Sequence, residues 1–226
     1  MSSLVRPKQR PLRRVPAVLI GGVSASLASI FLFGKLSDEI LEHEAMAFDS
    51  RLVRLAREMR NSGLDKVMSV ATSAGEPWAL ALVSGLVGLI WVGKQRYADI
   101  VTLLLAVAGG GAVNQVLKTF FRRDRPALRL RRAHASGYSY PSGHAMTTLA
   151  AYGTLAFLVS RHGSLTQRPG AELVWVPTLA LCGMVGCSRV YLEVHYPTDV
   201  IGGWAVGTVW LTTCGIARSF MEPEES

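Results

Sequence analysis

Along most of the chain the hydrophobic residues come in long uncharged runs, without the regular polar interruptions of a water-soluble core. Six runs stand out: Ala17–Gly34, Trp78–Gly93, Tyr97–Leu117, His144–Ser160, Leu173–Cys187 and Thr198–Ala217. A helix needs about 20 apolar residues to cross the hydrocarbon of a bilayer, so the pattern predicts an all-α bundle of six membrane-spanning helices. The second run is short, ~24 Å at the helical rise, and residues before Pro77 are expected to extend it. Pro77 suits a first helical turn, and Trp78 and Trp91 stand where interfacial anchors belong.

The connection between the first two runs is patterned differently. Leu41, Ala45, Phe48, Leu52, Leu55 and Met59 recur at alternating steps of four and three, with charged residues between them. This predicts an amphipathic helix lying on the membrane or against the bundle, ended by Asn61-Ser62-Gly63. Gly109-Gly110-Gly111 and the pair Gly203 and Gly207 fall inside runs, where small residues let helices approach closely.

Composition agrees with a membrane protein. Half of the 226 residues are hydrophobic, and the net charge is +8. The mean hydropathy is +0.29. The basic residues do not interleave with aromatic residues on a polar face, so nucleic acid is not the expected partner. They concentrate at residues 6–14 and 118–132. The first cluster precedes a run longer than a signal peptide's and followed by no clear small-residue cleavage site, as a cytoplasmic anchor would. The chain is expected to form one domain over residues 1–226, with a basic cytoplasmic N-terminus at 1–16 and a short cytoplasmic tail at 218–226. Cys182, Cys187 and Cys214 lie inside runs at no metal or redox spacing and are read as small apolar side chains.

Six spans in this order place the end of the third, the start of the fourth and the link between the fifth and sixth on one side of the membrane. The remaining polar residues gather in those three places: KTFFRRDRP at 118–126, PSGH at 141–144 and SRVYLEVHYPTD at 188–199. Lys118, Arg125 and Arg189 are three cations, two of them with planar forks that match an oxyanion. Ser142 and Gly143 stand at a helix start, where backbone N–H groups and the helix dipole favour an anion. His195 and Asp199 are four residues apart, so on a helical turn the carboxylate meets the imidazole and leaves the other ring nitrogen free to attack. His144 is a second imidazole, suited to protonating a leaving oxygen.

These three blocks resemble the motifs of the type 2 phosphatidic acid phosphatase superfamily, K-x6-R-P, P-S-G-H and S-R-x5-H-x3-D, with every defining position filled and in order. The resemblance implies a six-span lipid phosphatase that needs no metal or other cofactor. It implies that His195 is the nucleophile, forming a phosphohistidine, with Asp199 orienting it. His144 would act as general acid and then as the base that activates water. Lys118, Arg125, Ser142, Gly143 and Arg189 would hold the phosphoryl oxygens. The expected partners are the bilayer and a lipid phosphate substrate, either a polyprenyl diphosphate such as undecaprenyl diphosphate or a phosphatidate or phosphatidylglycerophosphate. The oligomeric state has no signal in the sequence.

Other readings compete. His195 and Asp199 have a spacing that suits a metal pair, although Lys118, Arg125 and Arg189 would repel a divalent ion there. Arg189 could serve only to neutralise Glu193 or Asp199, but two histidines and three cations on one side argue against a purely structural network. A vanadium-dependent haloperoxidase shares the motifs, on a soluble chain. A non-enzymatic lipid-binding or transport protein would not require two histidines in hydrolytic positions. Glu193, claimed by no motif, is expected to face water or an arginine. Arg122, Arg123, Arg129, Arg131 and Arg132 are expected to meet lipid headgroups or water. His43, His134 and His162 read as surface residues, and Glu76 as a polar group at a span end. Lys and Arg are more numerous on the motif side, and setting aside the three proposed phosphate ligands nearly evens the two sides. The unopposed basic N-terminus then decides the orientation: a multi-pass protein of the cell membrane with its site on the extracytoplasmic side.

Overall fold

The computed structural model describes residues 17–126, 136–161 and 171–221. The basic N-terminal cluster, Arg129, Arg131, Arg132, His134, His162 and residues 222–226 lie outside the described residues. Every regular element among the described residues is helical: α1 Ala17–Leu41, α2 Met46–Glu58, α3 Ser62–Ser73, α4 Pro77–Gly93, α5 Tyr97–Leu104, α6 Gly110–Phe121, α7 Gly143–Arg161, α8 Trp175–Tyr191 and α9 Pro197–Phe220. A π-helical turn, Leu105–Gly109, joins α5 to α6, and a 3-10 turn, Ala171–Val174, leads into α8.

Two of these helical stretches, Tyr97–Phe121 and Pro197–Phe220, are long and apolar enough to cross a membrane by themselves. Ser62–Ser73 and Pro77–Gly93 pass the same test only together, bent by 53°. Before Pro77 the chain is helical too, but in a separate helix at an angle to the second run. The break has local causes. Pro77 has no N–H to continue a helix from α3 and instead opens α4 behind an extended Glu76. Across the bundle, the Tyr152 hydroxyl donates to the Ala74 carbonyl at 2.9 Å and holds the turn in place.

α9 is the hub. α1 and α7 pack along it, α7 also packs on α8, and α3 lies against α8. Small residues let these axes close up. A Cβ on Gly203 would stand 2.6 Å from the Ser142 carbonyl oxygen, and one on Gly207 would stand 3.0 Å from that of Met146. Gly109 and Gly110 receive the Trp210 ring as expected, whereas Gly111 faces open space. Large apolar side chains such as Leu27, Phe31, Leu89, Val116 and Phe120 point outward, the inside-out surface of a protein whose solvent is lipid. Trp78 is exposed, as an anchor should be, but Trp91 is not: it is 5% exposed and packs with Leu103, Phe157 and Leu158. A ring in the last turn of α4 gains more from these neighbours than from a headgroup layer.

The amphipathic helix exists as α2, and the fold decides which way it faces. Met46, Phe48, Leu55 and Met59 are exposed, whereas Asp49 and Val53 are buried. Most of its large apolar side chains thus face outward, although Ala45 just before it is buried; its other side carries Asp49 and Arg57 to the bundle, and Arg60 follows just beyond its end. Asn61 does not end α2. Its side chain accepts the Leu64 N–H at 2.9 Å and caps the start of α3, a bond worth about 1 kcal/mol.

Candidate active site

The end of α6, the start of α7 and the link between α8 and α9 meet at one end of the bundle. Arg122 closes α6 in the left-handed region, φ 47°, so the chain turns sharply. The segments 123–125 and 136–142 are then laced together. Ser139 donates its N–H to the Arg123 carbonyl at 2.8 Å and its hydroxyl to the Asp124 carbonyl at 3.0 Å. Asn114, a buried amide inside the third run, donates to the Pro141 carbonyl at 3.2 Å. A side chain at position 143 would collide with the same amide, 2.9 Å away. This is how PSGH is held at the entry to α7, which begins at Gly143.

His195 lies in the link between α8 and α9 and is almost wholly buried. Its Nδ1 is 3.3 Å from Asp199 Oδ2, and its Nε2 is 3.0 Å from Arg125 Nη1. An ionised carboxylate can only accept, and a guanidinium can only donate, so the two partners impose one tautomer: proton on Nδ1, lone pair on Nε2. Burial, with help from Arg125, Lys118, Arg189 and His144, pushes the His195 pKa well below that of an ordinary histidine and keeps the ring neutral at physiological pH. Asp199 is fixed in turn. It stands in the first turn of α9, where Oδ2 accepts the Tyr196 N–H at 2.9 Å and Oδ1 accepts from Arg123 at 2.6 Å.

The cations surround this imidazole. Lys118 Nζ donates to the Tyr138 carbonyl at 2.6 Å and to the Ser139 carbonyl at 3.3 Å. Arg125 is spread over the carbonyls of Ser136, Gly137 and Val194, at 3.0, 2.9 and 2.8 Å. Arg189 donates through Nη1 to Thr72 at 2.6 Å, while its Nε is buried and has no hydrogen-bond partner among the described residues. The same is true of the Ser142 hydroxyl. The Ser142 N–H, expected to be available to an anion, is instead donated to the Asp199 carbonyl at 2.9 Å. His144 places Nε2 3.2 Å from Glu76 Oε1. The turn before Glu76 presses on this ring, since a Cβ at Gly75 would stand 2.9 Å from His144 Cδ2. All eight residues singled out in the sequence therefore belong to one cluster. Among the described residues no group of three or more His, Cys, Asp or Glu side chains could hold a metal ion.

Several participants were invisible in the sequence. Arg123 does not reach out to lipid or water. Its side chain is only 9% exposed and joins Asp199 Oδ1 to Asp49 Oδ2, each at 2.6 Å, while its plane lies over the Tyr196 ring. Burial by itself would lower its pKa, but the two carboxylates outweigh burial and raise it. Glu193 is fully buried and takes the arginine of its two expected partners, forming ion pairs with Arg57 at 2.9 Å and with Arg60. Glu76 gains a purpose beside His144, and His43 is exposed as expected. Asn114 did carry a signal, as a polar amide within an apolar run. Asp49 carried none, being one of several acidic residues near an amphipathic helix.

Comparison with known proteins follows the same lines. Residues 99–219 match the family model described as the PAP2 superfamily. A phosphatidylglycerophosphatase B of Bacillus subtilis is 29% identical over 180 residues, 79% of this chain and 88% of the relative. An undecaprenyl-diphosphatase of Sulfolobus acidocaldarius is 25% identical over 172 residues, 74% of this chain and 76% of the relative. Among solved structures, the transmembrane PAP2-type phosphatidylglycerolphosphate phosphatase of Bacillus subtilis superposes with a TM-score of 0.82 at 25% identity, covering 88% of this chain and 98% of that one. The LpxE structure from Aquifex aeolicus superposes at 0.55 with 24% identity, over 76% of this chain and 95% of that one, a likeness of fold. With its three motif blocks gathered around one imidazole and more than half of its length within the family match, the chain belongs to the PAP2 superfamily.

Proposed function

We propose that this PAP2 phosphatase removes a phosphoryl group from a lipid phosphate or diphosphate through a phosphohistidine on His195. One observation supports this most. A neutral imidazole whose Nε2 lone pair faces Arg125 sits among Lys118, Arg125 and Arg189, beside two buried groups, Ser142 Oγ and Arg189 Nε, that lack hydrogen-bond partners among the described residues. Buried polar groups are ordinarily satisfied, and these fit the oxygens of a phosphoryl group. Phosphoryl transfer depends on positioning and on neutralising charge, which this set of groups can supply.

In the proposed sequence Nε2 attacks phosphorus while Arg125 turns from the ring to a phosphoryl oxygen. The bond to the leaving oxygen breaks, and His144 gives that oxygen its proton. His144 then takes a proton from water, which attacks the phosphohistidine, releases inorganic phosphate and returns the electron pair to Nε2. Asp199 holds the Nδ1 proton and balances the positive charge on the ring throughout. Lys118, Arg125, Arg189, Ser142 and the Gly143 N–H hold the oxygens in this reading.

The six-span bundle in one domain, its place in the cell membrane and the extracytoplasmic site belong to the same proposal. They are supported by the apolar outer surface and by the basic N-terminal cluster. The substrate classes best supported are those in the relatives' names, phosphatidylglycerophosphate and undecaprenyl diphosphate. Phosphate release by the purified protein from a panel of lipid monophosphates and diphosphates in mixed micelles, with and without EDTA, tests the reading. Turnover unaffected by EDTA is expected, and no release from any member of the panel would refute it. For orientation, Ser136→Cys in a cysteine-free background should label in intact cells. Labelling only after lysis would reverse the topology.

A further inference from the structure

α2 and the residue pair just after it grip the chain on either side of His195 at two places. At one, Arg57 and Arg60 pair with the buried Glu193. At the other, Asp49, itself fully buried, accepts the Thr198 N–H at 3.0 Å, the Thr198 hydroxyl at 2.6 Å and Arg123 Nη2 at 2.6 Å. The same Arg123 uses Nη1 on Thr198 Oγ1 and on Asp199 Oδ1. One carboxylate therefore fixes the first turn of α9 and shares the guanidinium that would otherwise belong to Asp199 alone.

We infer that Asp49 is a positioning residue for the reaction, acting through Arg123 and Thr198 to aim Asp199 at His195 Nδ1. The inference rests on the phosphatase reading for its kinetic consequence, but not for its structural one. Asp199 must meet two demands with two oxygens. Oδ2 faces the imidazole and the Tyr196 N–H, and Oδ1 faces Arg123. If Arg123 were free to swing, or gave Asp199 its full charge, the carboxylate would rotate or lose its hold on the ring, and the Nδ1–H tautomer would no longer be enforced. Asp49 prevents both, by pinning Nη2 and by sharing the guanidinium with Asp199.

Asp49→Asn keeps an oxygen for the Thr198 N–H and removes the charge. It should lower kcat about 10–100-fold, the range for residues that orient a reacting ligand's partner, with KM changed by no more than about twofold. Asp49→Glu should recover part of the loss. In substrate-free protein in micelles, heteronuclear NMR of isotope-labelled histidine should show His195 as a single Nδ1–H tautomer in the wild type and as a mixture in Asp49→Asn. Wild-type kcat with an unchanged tautomer would overturn the inference. So would a loss of kcat with an unchanged tautomer that Glu193→Gln matches, because α2 would then be only a structural brace. Should Asp49→Asn fail to give a monodisperse protein, Thr198→Val, which deletes the hydroxyl bridging Asp49 and Arg123, takes its place with the same two readouts. If the wild type releases no phosphate from any lipid, the phosphatase reading falls, and the NMR measurement still decides the role of Asp49.

Discussion

His195 and His144 each stand beside a carboxylate, and the two pairs are built in opposite ways. Asp199 stands four residues after His195, in the first turn of α9, is fully buried and is held by a backbone N–H and by Arg123 besides the imidazole. Glu76 reaches His144 from the start of another helix, is 38% exposed and stands 3.2 Å from Nε2. A sealed carboxylate with several bonds keeps one tautomer through repeated charging of the ring, which suits a nucleophile that must present the same lone pair at each turnover. A half-exposed carboxylate on a separate element can change its own hydration beside the ring, which suits a general acid and base. The roles proposed for the two rings match how deeply each partner is buried.

The comparison can be broken from either side, starting with the largest effect. His195→Ala should abolish turnover and leave no acid-labile phosphoryl group on the quenched protein after exposure to labelled substrate. A labelled His195→Ala protein would move the nucleophile elsewhere. His144→Ala should slow lipid turnover by about 10²–10⁴-fold, the usual share of a general acid and base. With an activated ester, whose leaving group needs no proton, this variant should still form the phosphohistidine and accumulate it. Equal losses on lipid and activated substrates would remove the distinction drawn between the two rings. Glu76→Gln should have a milder effect, lowering kcat by about tenfold with KM little changed. A loss as large as that of His144→Ala would show that this pair is as tightly built as the other.

The smallest expected effect is on stability. Unfolded protein takes up a proton on His195 near the ordinary value of 6.5, whereas the folded site resists protonation until well below it. Between those two values the unfolded state binds more protons, so the contribution of His195 to stability is present above pH 6.5 and is lost as the pH falls. Melts in detergent at neutral and mildly acidic pH should show this slope, and His195→Gln should flatten it. An identical slope in the variant would place the titrating group elsewhere.

The legible parts of the protein were those with short-range causes. Long uncharged runs can satisfy their backbone only as helices, so the all-helical fold could be read directly. His195 and Asp199 are only four residues apart in sequence, and PSGH announces a helix start, so these groups were visible as a linear pattern. The order of the runs even brought Lys118, Arg125, His144 and Arg189 to one side. What could not be read was carried by contacts across tens of residues. Glu76 meets His144 only because α3 breaks before Pro77 and the turn at Gly75 packs on the ring. Trp91 looked like an anchor until Leu103 and Phe157 closed over it.

The sequence by itself determined an all-α membrane protein, the three motif blocks and the eight residues proposed to hold and transfer a phosphoryl group. Tertiary structure alone decided which face of α2 turns inward, and with it that Asp49, Arg57, Arg60 and Arg123 belong to the neighbourhood of the site. The reason is physical. An apolar stripe is equally satisfied by lipid or by a protein core, so periodicity leaves the direction of an amphipathic helix open. The choice was settled by buried charge, since Asp199 and Glu193 each need a cation that only the folded chain can bring to them.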